Sequence, residues 1–239
     1  SPMSSGEIKD LPHRKLSADT CRHYNYLVGS DGSEIAGYWR DGKLIGQKIR
    51  RTGKKFSCLG EMTAPPLFGQ HLWRVGGKRL VITEGEIDCL TIAQAQDCKW
   101  PVVSLPTGAA GAAAAIKVNY DFVSSYEEVV LCFDNDEPGR EAAKQVAEIL
   151  PPGKAKIASL PRKDANDMVV AGEGEILREL LWKATPTRPD GIVNANDLWD
   201  ELIKPGSDSA CPYPWPQLDA MTRGFRRGEM VTLCAGSGV

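Results

Sequence analysis

The stretch RLVITEGEID, residues 79–88, decides the fold of this 239-residue chain. Its apolar residues at 80–83 run without alternation into the acidic sequence EGEID. Continuous hydrophobicity of this kind is typical of a strand that is buried on both faces, as in a parallel sheet. Apolar residues at helical spacing follow over 87–96, so the stretch predicts a strand that leads directly into a helix.

The same order of strand and helix recurs along the chain as far as residue 184. The further apolar runs are 102–105, 129–133 and 156–160, and the segments with helical spacing are 111–118, 140–150, 165–171 and 175–184. Strands that alternate with helices indicate a parallel sheet with crossover helices. We therefore predict an α/β domain over residues 77–184.

The residues before this domain have a different pattern. Two short strand-like runs, 34–40 and 44–51, are joined by Asp41-Gly42, which is a strong hairpin signal. A short helix is predicted around 17–24. We assign residues 1–76 to a small β-rich lobe, which makes the chain α+β overall.

The residues after the α/β domain are predicted to form a linker and the beginning of another domain. The linker, residues 185–212, opens with a stretch rich in proline and contains an amphipathic helix over 196–203. Residues 213–239 include a strand-like run at 229–234 that ends in Gly-Ser-Gly-Val.

Composition narrows the class of protein. The chain has 29 lysines and arginines against 31 aspartates and glutamates, a net charge of −2, and 42% of its residues are hydrophobic. This argues against a protein that binds nucleic acid through its overall charge, but not against local basic patches. Without an apolar run of about 18 residues or a signal peptide, a cytoplasmic protein is expected. The seven cysteines are scattered singly, so we predict no zinc site.

Acidic residues follow three of the predicted strands. Because the carboxyl ends of parallel strands meet at one edge of a sheet, these carboxylates are expected to share a crevice. Clustered carboxylates repel one another, and a hard cation such as Mg²⁺ relieves that repulsion. Such a site suits phosphoryl or nucleotidyl transfer. The acidic residues concerned are Glu84, Glu86, Asp88, Asp134, Asp136 and Asp164.

Each of these acidic residues also has a simpler interpretation. Taken singly, an acidic residue after a strand is often a helix N-cap or a solvated surface group, and Asp136 before Glu137-Pro138 fits the cap well. Their coincidence on three strands favours a site.

These motifs resemble a known family. Glu84-Gly85-Glu86, Asp134-x-Asp136 and Asp164 resemble the TOPRIM domain of bacterial-type primases, topoisomerases and related nucleases. The resemblance to the primase half of the phage T7-type primase–helicases, relatives of mitochondrial Twinkle, extends over about residues 8–239. It is carried by QKIR at 47–50, LFGQHLW at 67–73, TEGEID at 83–88 and KDAN at 163–166.

The resemblance implies a DNA primase that makes short RNA primers on single-stranded DNA from ribonucleoside triphosphates, with Mg²⁺ or, in its place, Mn²⁺. Glu84 would be the catalytic acidic residue near the 3′-hydroxyl. Asp134 and Asp136 would be catalytic and hold the metal, with Glu86, Asp88 and Asp164 assisting. The phage enzymes carry a zinc module, and nothing in this sequence matches it.

The resemblance also implies properties of a longer protein. Residues 213–239 are similar to the start of a RecA-like helicase domain, before its phosphate-binding lysine. The whole protein would be an ATP-dependent 5′–3′ DNA helicase that forms hexamers or heptamers. A replicative DNA polymerase is a further suggested partner, and the location is expected to be a phage-infected bacterial cell rather than mitochondria.

A basic cluster in the β-rich lobe is a candidate binding surface for nucleotide and DNA. It lies beside the aromatic residues Tyr38, Trp39 and Phe56, and such a cluster can neutralise phosphates and stack bases. The alternative is an exposed edge strand that lysines keep soluble. The candidates are Lys48, Arg50, Lys54 and Lys55, of which Lys48 and Lys54 match the family's cleft lysines best.

Two other functions stay open at this point. One is a catalytically inactive, Twinkle-like TOPRIM scaffold that binds single-stranded DNA for the helicase, and the complete acidic set speaks against it. The other is a TOPRIM nuclease or topoisomerase, which the helicase-like sequence downstream disfavours.

Overall fold

The computed structural model describes residues 3–53, 55–186, 211–225, 229–232 and 234–236. By their internal contacts, residues 1–190 form one unit and residues 191–239 a second one. Lys54 and the predicted helix over 196–203 lie outside the described residues.

The N-terminal sheet is built around the predicted hairpin. Asp41 and Gly42 both have positive φ, 51° and 73°, as a two-residue turn between antiparallel strands requires. The hairpin prediction is confirmed. The described sheet has antiparallel strands in the order β1 Leu27–Val28, β2 Glu34–Arg40, β3 Lys43–Arg51 and β4 Lys55–Gly60, preceded by helix α1 Ala18–Tyr24.

Strand β4 is not apparent in the sequence pattern. It has only two large apolar residues, Phe56 and Leu59, and most of its side chains are exposed. A strand at the edge of a sheet with one open face shows little hydrophobic periodicity. The conformation of β4 therefore depends on its antiparallel pairing with β3.

The second sheet is the predicted parallel one. Its described strands follow the order β6-β5-β7-β8-β9, and the pairs among β5, β6, β7 and β8 are parallel. Thr185 and Pro186, which composition assigns to the linker, form β9 antiparallel to β8, so the sheet extends past the predicted boundary at Ala184. The strands are β5 Gly77–Thr83, β6 Val102–Ser104, β7 Tyr126–Cys132, β8 Ala155–Ile157 and β9 Thr185–Pro186.

Helices cover both faces of this sheet. Val81 of β5 packs into a core with α2, α6 and α7, whereas its neighbours Leu80 and Ile82 pack into a second core with α3, α4 and α5. Burial on both faces explains the unbroken apolar run at 80–83. The helices are α2 Glu86–Ala95, α3 Ala112–Val118, α4 Tyr120–Ser124, α5 Glu137–Ile149, α6 Ala165–Val170 and α7 Gly174–Trp182.

The described part of the second unit contains one helix, α8 Pro216–Thr222, which is not predicted from the sequence. The rings of Tyr213 and Phe225 stack beside it at 4.1 Å. The expected strand over 229–234 is wrong for residues 229–232, which are not in a strand. Among the residues that the structure describes, no helix has the length and apolarity needed to cross a membrane.

Phe68 joins the N-terminal sheet and α1 to the parallel sheet. Its fully buried ring contacts those of Tyr24, Tyr26 and Tyr38, with centroids 5.6 to 6.2 Å apart. Its backbone forms two hydrogen bonds with Ser104 at the end of β6, 3.0 and 3.2 Å long. One residue therefore links aromatic side chains of the N-terminal part, through its ring, to the edge of the second sheet, through its backbone.

This packing predicts a large difference between two phenylalanines. Phe68→Ala should lower the free energy of unfolding by about 3 to 5 kcal/mol, because it leaves a cavity among three rings. Phe56→Ala should change it by no more than about 0.5 kcal/mol, because that ring is 54% exposed. Urea unfolding followed by circular dichroism measures both values. Equal losses would contradict the role given to Phe68.

Candidate active site

Glu84 lies immediately after β5, in the loop before α2. Its Oε1 accepts a hydrogen bond from the backbone N–H of Ala109, 3.3 Å away. Its Oε2 is buried and has no hydrogen-bond partner among the described residues. Gly108 has φ +67°, which lets the loop after β6 fold against this carboxylate. A buried oxygen without a partner costs free energy, so it marks a position where a ligand would be stabilised.

Asp134 and Asp136 lie in the loop between β7 and α5. A side chain at Gly139 would come within 2.2 Å of the carbonyl oxygen of Asp134, so only glycine allows α5 to begin this close to the loop. Asp136 is the N-cap of α5, and its Oδ1 accepts the N–H of Gly139 at 2.9 Å. The cap interpretation of Asp136 is therefore confirmed, and its second carboxylate oxygen has no hydrogen bond within the part of the chain that the structure describes.

Asp164 comes from the loop after β8. It is the N-cap of α6 and accepts the N–H of Asp167 at 2.8 Å. Asn135 ties this loop to the one after β7: its N–H donates to the carbonyl of Lys163 at 2.6 Å, and its side-chain amide donates to the carbonyl of Leu160 at 2.9 Å. Two acidic loops are thus fastened to each other through their backbones.

The electrostatics show that three acidic loops converge. Burial, followed by the negative charges of Glu84, Asp164 and Asp136, raises the pKa of Asp134 from 3.8 to about 7. Residues that follow β5, β7 and β8 therefore act on one carboxyl group. This is the arrangement expected at the carboxyl edge of a parallel sheet.

Asp88 lies on the first turn of α2 and is partly buried. Burial, followed by the charge of Asp164, raises its pKa to about 8. Its Oδ1 accepts the N–H of Asn166 at 3.0 Å, and the amide of Asn166 donates to Thr91 of α2 at 2.9 Å. In this structure Asp88 connects α2 to the start of α6.

Glu86 is turned towards the N-terminal sheet. Its Oε1 accepts the hydroxyl of Tyr38 at 2.6 Å and lies 2.9 Å from the ammonium of Lys48. Lys48 also donates to the carbonyl of Pro106, 3.0 Å away, in the loop that leads to Ala109. The carboxylate of Glu86 is therefore neutralised by a lysine rather than shared with the other acidic residues.

The basic candidates are placed differently from one another. Lys48 reaches the loop beside Glu84, as described above. The guanidinium of Arg50 lies 3.8 Å from Glu34, and Lys55 is exposed at the start of β4. Lys54 lies outside the described residues. Of the neighbouring aromatic rings, Tyr38 is fully buried and Phe56 is open to solvent.

The residues at this edge fit a hard divalent cation by their chemistry. Within the described ranges, no three acidic, histidine or cysteine side chains are grouped closely enough to enclose an ion. Mg²⁺ does not need such an enclosure, because it commonly uses one or two carboxylates together with waters and substrate phosphates. The buried, unpartnered oxygen of Glu84 and the charge that raises the pKa of Asp134 are the features that a cation would relieve.

Two parts of the site are not evident in the sequence. One is the N–H of Ala109 on Glu84, although the glycines at 108 and 111 do signal an unusual loop there. The other is the hydroxyl of Tyr38 on Glu86. The alternation of β2 places Tyr38 on one face of the sheet, but no local signal identifies a partner 48 residues away.

Comparisons with known proteins agree with this arrangement. Residues 81–169 match the Toprim-like family, and residues 6–60 match the N-terminal α+β fold of the bacteriophage T7 DNA helicase/primase. The primase fragment of the phage T7 primase–helicase has 41% identity and a TM-score of 0.71, with 75% of this chain and 76% of that chain covered. The chain belongs to the phage T7-type primase–helicase family.

The prediction of this family and of an α/β fold with a TOPRIM sheet is confirmed. A second T7 structure, whose primase domains are bound to an RNA/DNA hybrid and dTTP and interact with the lagging-strand DNA polymerase, gives a TM-score of 0.72 at 41% identity. The match covers 77% of this chain and 95% of the chain in that T7 structure. The DNA helicase/primase of Enterobacteria phage T3 is 38% identical over 99% of this chain, which spans 43% of the length of that protein.

The pKa of Asp134 predicts a dependence of stability on pH in the absence of divalent metal. Between pH 3.8 and about 7 the folded chain keeps a proton that the unfolded chain releases, so the wild type loses stability as the pH rises through this range. Asp134→Asn removes that loss. In a chelating buffer its thermal midpoint should exceed that of the wild type at pH 8, and the difference should vanish near pH 4.

The exposed Asp121, on α4, offers the matched control: Asp121→Asn should show no such trend with pH. Scanning calorimetry at both pH values gives the comparison. An Asp134→Asn variant with the same midpoint difference at pH 4 and pH 8 would contradict the convergence of charge on this residue.

Proposed function

We propose that this chain is a DNA primase core that synthesises short RNA primers on single-stranded DNA by Mg²⁺-dependent nucleotidyl transfer. The observation that carries the proposal is the buried, unpartnered oxygen of Glu84 at the place where three acidic loops converge. The relationship to the T7 primase domains, which are bound to an RNA/DNA hybrid and dTTP, supports RNA synthesis on a DNA template.

The reaction joins the 3′-hydroxyl oxygen of one nucleotide to the α-phosphorus of the next. The hydroxyl gives up its proton to water or to the carboxylate of Glu84, the bond between the α-phosphorus and its bridging oxygen breaks, and pyrophosphate leaves with the electron pair of that bond. When bound, Mg²⁺ would neutralise developing charge and lower the pKa of the hydroxyl. Glu84, Asp134 and Asp136 are the residues that would hold it, with Asp164 close enough to add its charge.

Glu84 has a further role in this proposal. Its Oε1 accepts the N–H of Ala109, which restricts the carboxylate, and its unpartnered Oε2 would be the acceptor for a reacting group. A fixed acceptor can orient the attacking 3′-hydroxyl before the reaction, which lowers the entropic part of the barrier.

Lys48 is placed to meet the triphosphate. Its ammonium lies against the carbonyl of Pro106, in the same loop that holds Glu84. Glu86 and Tyr38 keep the lysine there, so we assign Glu86 to positioning Lys48 rather than to the metal. Arg50, Lys54 and Lys55 would extend the positive charge along the strands for nucleotide or template phosphates.

We further propose the partners that the family suggests. They are a single-stranded DNA template, ribonucleoside triphosphates and a replicative DNA polymerase, in a phage-infected bacterial cell. Helicase activity and a hexameric or heptameric ring would belong to a longer protein. No observation favours an inactive scaffold, because each acidic residue of the motif is present.

Replacement of Glu84 tests the proposal directly. Glu84→Gln keeps the size of the side chain but removes its charge, so primer synthesis should fall at least about 100-fold. The matched control is Glu127→Gln, an exposed residue at the other end of the same sheet, which should synthesise primers as the wild type does. Incorporation of labelled nucleotides on single-stranded DNA measures both. Near-normal synthesis by Glu84→Gln would refute the assignment.

Metal binding is tested separately by thermal unfolding. Mg²⁺ at about 100 times its dissociation constant should stabilise the folded chain by about 2.7 kcal/mol. The double variant Asp134→Asn/Asp136→Asn should lose most of this response, and Asp121→Asn should keep it. A double variant that Mg²⁺ stabilises as strongly as the wild type would place the metal elsewhere.

A further inference from the structure

Phe56 is a large aromatic side chain left open on the edge strand β4. Its ring is 54% exposed. In the antiparallel pairing of β3 with β4, Phe56 lies opposite Arg50. Cys58, two residues further along β4, lies opposite Lys48. Directly paired residues of neighbouring strands lie on the same face, so these four side chains share one face of the sheet.

This face runs from a buried end to an open end. At the buried end, Ala36 pairs with Lys48, and Tyr38 donates to Glu86. At the open end stands Phe56, with the ammonium of Lys48 5.1 Å from the centre of its ring. Since the same ammonium contacts Pro106, one lysine separates the phenyl ring from the loop that holds Glu84.

Exposure alone would not distinguish this ring. Isolated exposed apolar residues are common, and Trp100 is also 54% exposed. Trp100 precedes β6, at the amino end of the sheet and away from the acidic loops. Phe56 differs because cations flank it on the face that leads to the candidate active site.

We propose that Phe56 is a stacking platform for a nucleobase that enters the active site, while Lys48 and Arg50 meet the phosphates attached to it. This rests on the proposed function and adds a binding residue to it. Aromatic rings bordered by cations are the combination that single-stranded nucleic acids and nucleotides require, because a base offers a π-face and a phosphate a negative charge. The nucleobase comes either from the template strand or from the incoming nucleotide.

The first arm of the test compares two single strands of about ten nucleotides at fixed salt, oligodeoxythymidylate and an abasic strand with the same phosphates. Phe56→Leu keeps an apolar side chain and removes the ring. It should weaken binding of oligodeoxythymidylate by roughly 5-fold to 150-fold and leave the abasic strand unaffected. Phe56→Trp should bind at least as tightly as the wild type, and Trp100→Leu should change neither affinity.

The second arm uses nucleotide in place of DNA. Binding of ATP with Mg²⁺ is compared with binding of inorganic triphosphate, which carries the charges without the base. A loss confined to oligodeoxythymidylate assigns the ring to the template, and a loss confined to ATP assigns it to the incoming nucleotide. Both outcomes support the proposal.

The proposal is overturned if Phe56→Leu leaves all four affinities unchanged, or lowers them equally for ligands with and without bases. It is also overturned if Trp100→Leu gives the same pattern as Phe56→Leu. Each arm measures binding without turnover, so a chain that failed to synthesise primers would refute the proposed function without deciding the role of Phe56. Circular dichroism of each variant confirms that it folds.

Discussion

The buried ion pair between Glu86 and Lys48 is the interaction on which the site depends. The two side chains are only 10% and 13% exposed, and they connect the start of α2 with the middle of β3. A charge left alone in such a place is strongly destabilising, by about 3 to 5 kcal/mol, so each partner requires the other. The hydroxyl of Tyr38 adds a hydrogen bond to Glu86, and the carbonyl of Pro106 accepts one from Lys48. The pair therefore sets how the N-terminal sheet lies against the acidic loops.

The opposite electrostatic situation exists around Asp134. Burial and then three nearby negative charges raise the pKa of this residue, and they outweigh the opposing positive charge of Lys163. The fold accepts this repulsion because backbone groups fix the loops: Asp136 and Asp164 cap helices, and Asn135 bonds to the loop after β8. Side chains that serve as caps cannot move apart to relieve the repulsion. The result is a negatively charged group of side chains that a proton on Asp134 stabilises and that a cation would stabilise.

The sequence predicts the parallel sheet, the hairpin and the convergence of acidic loops, because each has a local signal. Unbroken apolar runs mark strands buried on both faces, and Asp41-Gly42 marks a turn that needs positive φ. Strand β4 and β9 have no such signal, since both lie at sheet edges and owe their conformation to a neighbouring strand. The partners of Glu86 are likewise hidden, because they depend on a contact between two sheets.

The motif EGEID illustrates why residue types alone do not assign roles. Helix α2 begins at Glu86, so Glu84 remains in the loop, where the N–H of Ala109 holds it. Glu86 and Asp88 are two residues apart on a helix of 3.6 residues per turn, and they therefore point in directions roughly 200° apart. One meets Lys48 on the N-terminal sheet and the other meets Asn166 at the start of α6. Three evenly spaced acidic residues thus become a hydrogen-bond acceptor in a loop, a partner in an ion pair and a link between two helices, because α2 begins at Glu86.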